Sequence, residues 1–139
     1  MQKIIIDTNV LVSALIQRSY PNFIIYNYVL ENLVDVCISD DLFKEYLDVL
    51  KRPKFDKYPD FFHKAEFVLA QLESKASKYF PKEKFEIIGD KDDNRLLELA
   101  SESKADYIIT GNTNDFTMTE FRGTKVVSPQ NYWDNYRNR

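Results

Sequence analysis

The chain has 139 residues, 44% of them hydrophobic and 14% aromatic, and a formal net charge of −3, with a pI of about 5.2. That length fits a single domain spanning 1–139 that can bury a real core. The acidic balance argues mildly against a protein that coats nucleic acid, but not against one that cuts it, because metal-binding carboxylates themselves lower the pI.

Lys3 to Ile6 is a β-branched run and reads as a buried strand; Thr8 to Ile16 reads as a helix. Pro21 suits a helix start, and Phe23 to Leu33 carries apolar residues at helical spacing. Leu33 to Ile38 is a second strand. Ser39 is placed to cap a helix over Asp40 to Lys51, which Pro53 stops. Pro59 opens a longer helix to about Lys78. Phe85 to Ile88 is either a short strand or an extended connection. Asn94 to Lys104 is a helix, Tyr107 to Thr110 and Lys125 to Val127 are strands, and Pro129 opens a last helix through Tyr136. Strands alternating with helices of this length predict an α/β fold, a three-layer α/β/α arrangement around a central parallel sheet.

Absences narrow the chemistry. His63 is the one histidine, which removes Ser-His-Asp, Cys-His and His-rich metal sites. Cys37 stands alone and forms no internal disulfide, which suits a reducing, cytoplasmic setting. Gly89, Gly111 and Gly123 do not build a Gly-rich phosphate loop. The run Ile4-Ile5-Ile6 is too short to cross a bilayer, and no small-residue cleavage site follows Met1, so neither a membrane span nor a signal peptide is expected.

What remains is carboxylate. In open α/β sheets, ligands bind beyond the carboxyl ends of the strands. Asp7 follows the first strand, and Glu45 lies in the helix after the second. Asp93, with Asp92 beside it, opens the helix after Phe85 to Ile88, and Asn112 and Asp115 follow the Tyr107 strand. Such convergence suits Mg²⁺ or Mn²⁺, hard cations that prefer oxygen donors. At 100° per residue Glu45 falls on the margin of its helix's apolar stripe, and Asp93, if the helix begins by position 93, shares the inner face of Leu96, Leu97 and Ala100. Plainer roles exist for each: a turn residue for Asp7, N-caps for Asp92 or Asp93, a solvated helix position for Glu45 and loop chemistry for Asp115.

The order of the motifs resembles the PIN domains. Ile4-Ile5-Ile6-Asp7-Thr8-Asn9 is similar to their opening strand. Ser39 to Tyr46 with Val49 to Lys54 is similar to their second acidic segment, Asp90 to Ala100 to the third, Ala105 to Asn112 to the fourth, and Val127 to Gln130 to the closing one. Within the family the motifs most resemble the toxin PIN proteins, relatives of the VapC-type toxin ribonucleases. The resemblance implies a divalent-metal endoribonuclease, with Asp7, Glu45 and Asp93 binding metal, Thr8 and Asn9 shaping the loop beneath it and Thr110 orienting ligands. The chain departs from the family at the fourth acidic position: Asn112 stands where many PIN domains have Asp, and Asp115 is the substitute in the same loop.

The implied partners are an RNA substrate, a second copy in a homodimer and an antitoxin protein. Tyr20, Phe23, Tyr26, Phe61, Phe62 and Phe67 are candidates for an exposed apolar patch serving the protein partners. Arg52, Lys54, Arg95, Arg122 and Lys125 are candidates for phosphate contacts. Two other classes remain: a PIN fold that binds RNA or protein without cutting, and an aspartyl-phosphate phosphatase, disfavoured because Asn9 stands where its second Asp is needed.

Overall fold

A strand can bury three consecutive isoleucines only where both its faces are covered, which is the setting of a parallel sheet. The computed structural model, which describes residues 1–138, places Ile4, Ile5 and Ile6 there with no exposed surface. They form β1 (Lys3–Ile6), flanked by β2 (Asp35–Ile38) and β4 (Tyr107–Ile109). The register sets Ile4 opposite Val36 on one side and Tyr107 on the other, and Ile6 opposite Ile109. β3 (Ser77–Lys78), β5 (Glu120–Phe121) and β6 (Thr124–Val127) complete six strands in the order β3-β2-β1-β4-β6-β5. All pairs are parallel except β5 with β6, which closes as a hairpin through Arg122 and Gly123, both at positive φ.

The order runs outward in one direction from β1 to β3 and then reverses to β4. Right-handed crossovers on the two sides of that reversal put their helices on opposite faces of the sheet. α1 (Thr8–Ile16), α2 (Tyr20–Ile24), α3 (Asp40–Leu50) and α4 (Phe61–Lys75) belong to the first side and touch one another. α5 (Lys91–Ser103) belongs to the second and packs on β1, β2 and β5. The result is a mostly parallel sheet between helical layers, with its topological switch between β1 and β4. α6 (Pro129–Asn131) follows β6, and Ser128 caps it by accepting from the Asn131 amide at 3.1 Å.

Several boundaries differ from the sequence expectation. The helix expected from Phe23 to Leu33 begins at Tyr20 and loosens at Ile25 into a π-helical turn ending at Val29, and the second strand starts at Asp35, not Leu33. The helix expected to reach Lys78 ends at Lys75, because Ser77 and Lys78 pair with Cys37 and Ile38 as β3. Of the two readings left open for Phe85 to Ile88, the extended connection is the one found. α5 begins at Lys91, three residues before the expected Asn94.

The aromatic candidates also divide. Phe61 is buried and stacks on Phe55 at 4.6 Å. Phe23 packs against Tyr20 and Trp133, and Tyr26 is half-buried against the core. Of the six, only Phe62 and Phe67, on α4, are exposed, at 37% and 53%. No helix among the described residues is long and apolar enough to cross a membrane.

Candidate active site

The last rung between β1 and β4 is the Asp7 amide, which donates to the Ile109 carbonyl at 2.9 Å. Asp7 is thereby held at the switch point by the backbone alone, and its side chain is then dressed from β4. The fully buried Thr110 hydroxyl donates to Asp7 Oδ2 at 2.7 Å. Asn9 clips the same region, donating to Asp7 Oδ2 at 3.4 Å and accepting from the Gly111 amide at 3.1 Å.

α3 brings Glu45 to the same place. Ser39 starts that helix, its Oγ accepting from the Leu42 amide at 3.1 Å. The fully buried Tyr46 donates its hydroxyl to the Ile6 carbonyl, pinning the helix to the end of β1. Its neighbour Glu45 accepts from the Thr8 hydroxyl.

The third contribution arrives by a different construction. From Tyr79 to Gly89 the chain is a strap with no ladder beyond Tyr79, whose amide donates to the Ile38 carbonyl. It is held instead by side chains of α5 spaced four apart, which share one helix face. Glu102 accepts from the Lys82 amide and Glu98 from the Phe85 amide. The buried Asn94 accepts from the Ile87 and Ile88 amides at 3.1 and 2.9 Å and donates to the Ile88 carbonyl at 2.7 Å. The strap ends at Asp90, whose carboxylate caps α5 by accepting from the Asp92 and Asp93 amides at 2.7 and 3.2 Å. The cap is therefore Asp90, not Asp92 or Asp93, and that leaves the other two carboxylates free of capping.

Asp7, Glu45, Asp90, Asp92, Asp93, Asn112 and Asp115 all line one cleft of about 450 Å³ at the carboxyl end of the sheet. Val12, Val49, Lys54 and Phe55 also line it. Asn112 and Asp115 come from the short turn after β4, where the Asp115 amide donates to the Asn112 carbonyl at 3.0 Å. The site residues expected from the sequence thus share one cleft. Asp90 was missed there as a lining residue, although Asp90-Lys91-Asp92-Asp93 has the spacing of a side-chain cap with an acid at the third helical position. Lys54 and Phe55 lie beyond the end of α3, and nothing in their local pattern aims them at the cleft.

The electrostatics are those of excess negative charge: among the described residues only Asp92 of the six acids has a cationic partner, Arg95 at 3.2 Å. Burial pushes the Asp93 carboxyl up to about 7, with Asp90, Asp7, Asp115 and Asp92 adding repulsion. Burial also raises Asp7, against the Thr110 and Thr8 hydrogen bonds that lower it, with Asp90 and Asp92 raising it further. Glu45 rises for the same leading reason, opposed by Thr8. An all-oxygen donor set with excess negative charge fits a hard divalent cation in its chemistry. In position, no three of these acids stand close enough to hold one ion as they are, among the described residues. Binding of a cation would require the side chains to draw together, and would relieve the mutual repulsion that adds to burial in raising their pKa values.

A family model described as PIN domain matches residues 3–114. The chain is also similar to the uncharacterized protein MJ1680 of Methanocaldococcus jannaschii. The two are 34% identical over 121 residues, covering 85% of this chain and 76% of the relative. No solved structure matches the chain significantly.

Proposed function

This chain belongs to the PIN domain family, generally one of nucleases, and on that premise we propose that it is a metal-dependent endoribonuclease hydrolysing RNA phosphodiester bonds. The observation that carries the reading is the convergence of carboxylates from four separate segments on one cleft at the switch point of the sheet. Asp7, Glu45 and Asp93 would hold Mg²⁺ or Mn²⁺, with Asn112 or Asp115 completing the set. A divalent ion there supplies Lewis acidity, neutralising charge that builds on a phosphate and making water a better nucleophile.

The chain's own residues do the rest. Thr110 and Asn9 keep Asp7 turned into the cleft, and Thr8 does the same for Glu45. A carboxylate accepts the proton of the attacking water. Asp93 and Asp115, which both line the cleft, are the candidates for that role. In-line attack of water on the phosphorus breaks its bond to the 3′ oxygen, which leaves and takes up a proton, giving a 5′-phosphate and a 3′-hydroxyl. Cleavage of a fluorogenic single-stranded RNA, measured with Mg²⁺, with Mn²⁺ and with chelator, tests the reading. Metal-dependent turnover is the expected result, and its absence with both ions sinks it.

A second reading has its own observation. No three acids are preassembled among the described residues, and Asn112 brings no charge, which suits a fold that binds RNA or protein without cutting. RNA retention with no turnover at any metal concentration favours it. The finer role we propose is the toxin of a toxin–antitoxin pair. Phe62 and Phe67 on α4 offer apolar surface for an antitoxin helix or a second copy. A small adjacent reading frame whose product co-purifies with the chain and suppresses cleavage is the expected finding; cleavage unaffected by any neighbouring product removes the toxin role.

A further inference from the structure

Six carboxylates line the cleft, yet a nuclease must seat a polyanion there, so the cations around it decide how the backbone lies. Of the five cationic side chains that the sequence offers for phosphate, four are disposed elsewhere. Arg122 is held by Glu83 and by the Ser101 hydroxyl, against the rings of Phe85 and Phe121. Arg95 pairs with Asp92 at 3.2 Å and lines a neighbouring cavity. Lys125 lies over the Tyr136 ring, near the start of β6 and away from the strand ends that face the site. Arg52 is exposed and outside the cleft lining.

Lys54 differs on each count. It is the one cation among the residues lining the cleft, and it makes no ion pair among the described residues, although six acids line the same cavity. Its position is set by rigid neighbours. Pro53 opens a short 3₁₀ turn over Pro53–Phe55, and the Lys54 ammonium lies 5.2 Å from the centre of the Phe55 ring. That ring is itself buried and stacked on Phe61. Beside Lys54, the half-buried Val12 and Val49 give the cleft apolar surface, against which the face of an unpaired base can lie; paired bases have no such face to offer.

We propose that Lys54 is the substrate-binding cation of this cleft, holding a backbone phosphate of single-stranded RNA next to the carboxylates. The inference rests on the ribonuclease reading above and names the residue that seats its substrate. An ammonium is a point charge on a flexible stem, so arginine at the same place preserves the contact, whereas methionine keeps the stem and loses the charge.

The test compares the wild type with Lys54→Met and Lys54→Arg on a fluorogenic single-stranded RNA, in Mn²⁺, across a salt series. Equilibrium binding of the same oligonucleotide is measured in parallel. Lys54→Met should raise KM and Kd about 5–10-fold with kcat within about twofold, and flatten the slope of log Kd against log salt by about 0.7, the value for one phosphate of a single strand. Lys54→Arg should stay within about twofold of wild type on both. Unchanged KM, Kd and slope in Lys54→Met overturn the proposal, as does a loss confined to kcat. A wild-type protein that binds the oligonucleotide but does not turn it over fells the ribonuclease reading instead, and the binding arm still decides for or against Lys54.

Discussion

The two halves of the acidic cleft are built in opposite ways. Asp7 and Glu45 are placed by regular structure: one is the last rung of a parallel ladder, and the other sits beside a tyrosine that hydrogen-bonds the same strand end. Asp90 ends a strap with no ladder of its own, tied to α5 by Asn94, Glu98 and Glu102, and its cap fixes the first turn of α5 that carries Asp92 and Asp93. A ladder positions a ligand through the backbone and leaves side chains free for chemistry. A strap must recruit buried polar side chains, and Asn94 and Glu98, each 6% exposed, are what that requires here. The two halves should therefore fail differently, one in chemistry with the fold intact and the other in stability first.

The widest separation is expected from Asp7→Asn. The change keeps the shape and the Thr110 contact but removes the charge, so RNA cleavage should fall by more than the roughly 10–100-fold that outer-shell changes cost at metal sites. The metal-free fold should be as stable or more so, because burial already disfavours the ionised form. Cleavage rates beside thermal melts check this; a protein that no longer folds would make Asp7 a structural residue and erase the contrast.

Asn94→Ala attacks the strap. It leaves the Ile87 and Ile88 amides and the Ile88 carbonyl without their partner, at a cost of about 2–3 kcal/mol. Urea denaturation reads the total, and hydrogen exchange at Ile87 and Ile88 should accelerate ahead of β1. Equal acceleration in both places would show that the strap and the sheet open as one unit.

A smaller effect is expected in the turn after β4. If Asp115 serves the site, Asp115→Asn should slow cleavage about tenfold, with partial recovery at high Mn²⁺, and Asn112→Asp should tighten metal binding by added Coulomb attraction. Metal titrations of both variants sharpen the assignment, and indifference of both would take this turn out of the mechanism.

The smallest concerns pH. Asp93 is raised in the folded protein to about 7 from an ordinary value of about 4. The folded state therefore holds the proton more tightly, and the associated stability is full below about pH 4 and lost as pH rises through about 7. At pH 8 without metal, Asp93→Asn should raise Tm by roughly 2 °C, the exposure of the group trimming the effect. Mn²⁺ should stabilise the wild type more than the variant. A melting temperature that is flat with pH in the wild type would contradict the assignment.

How much of this was legible in the sequence follows the same division. β1, β4 and the helix carrying Glu45 declare themselves through β-branched runs, a Ser cap and a 3.6-residue stripe, and Asp7 follows from its place at a strand end. β3 and β5 do not, because two residues carry no period. The early start of α5 was hidden because Lys91, Asp92 and Asp93 are polar and extend no apolar stripe; only the capping oxygen of Asp90 marks it. The strap's attachment was out of reach, since a backbone amide gives no sign of which distant glutamate will accept from it. Lys54 was legible as a cation, and its place in the cleft required knowing how Phe55 stacks on Phe61.

The pairing of β1 with β4 has a consequence for biosynthesis. Asp7 meets Thr110 across 103 positions of chain, so while the protein is being made its first carboxylate waits on a strand whose neighbour has not yet left the ribosome. At elongation rates of about 5–20 residues per second, that wait lasts several seconds. The cleft gains its last carboxylate only when residue 115 has emerged. A ribonuclease of the proposed design would therefore stay inert beside the message that encodes it for as long as that residue is inside the ribosome.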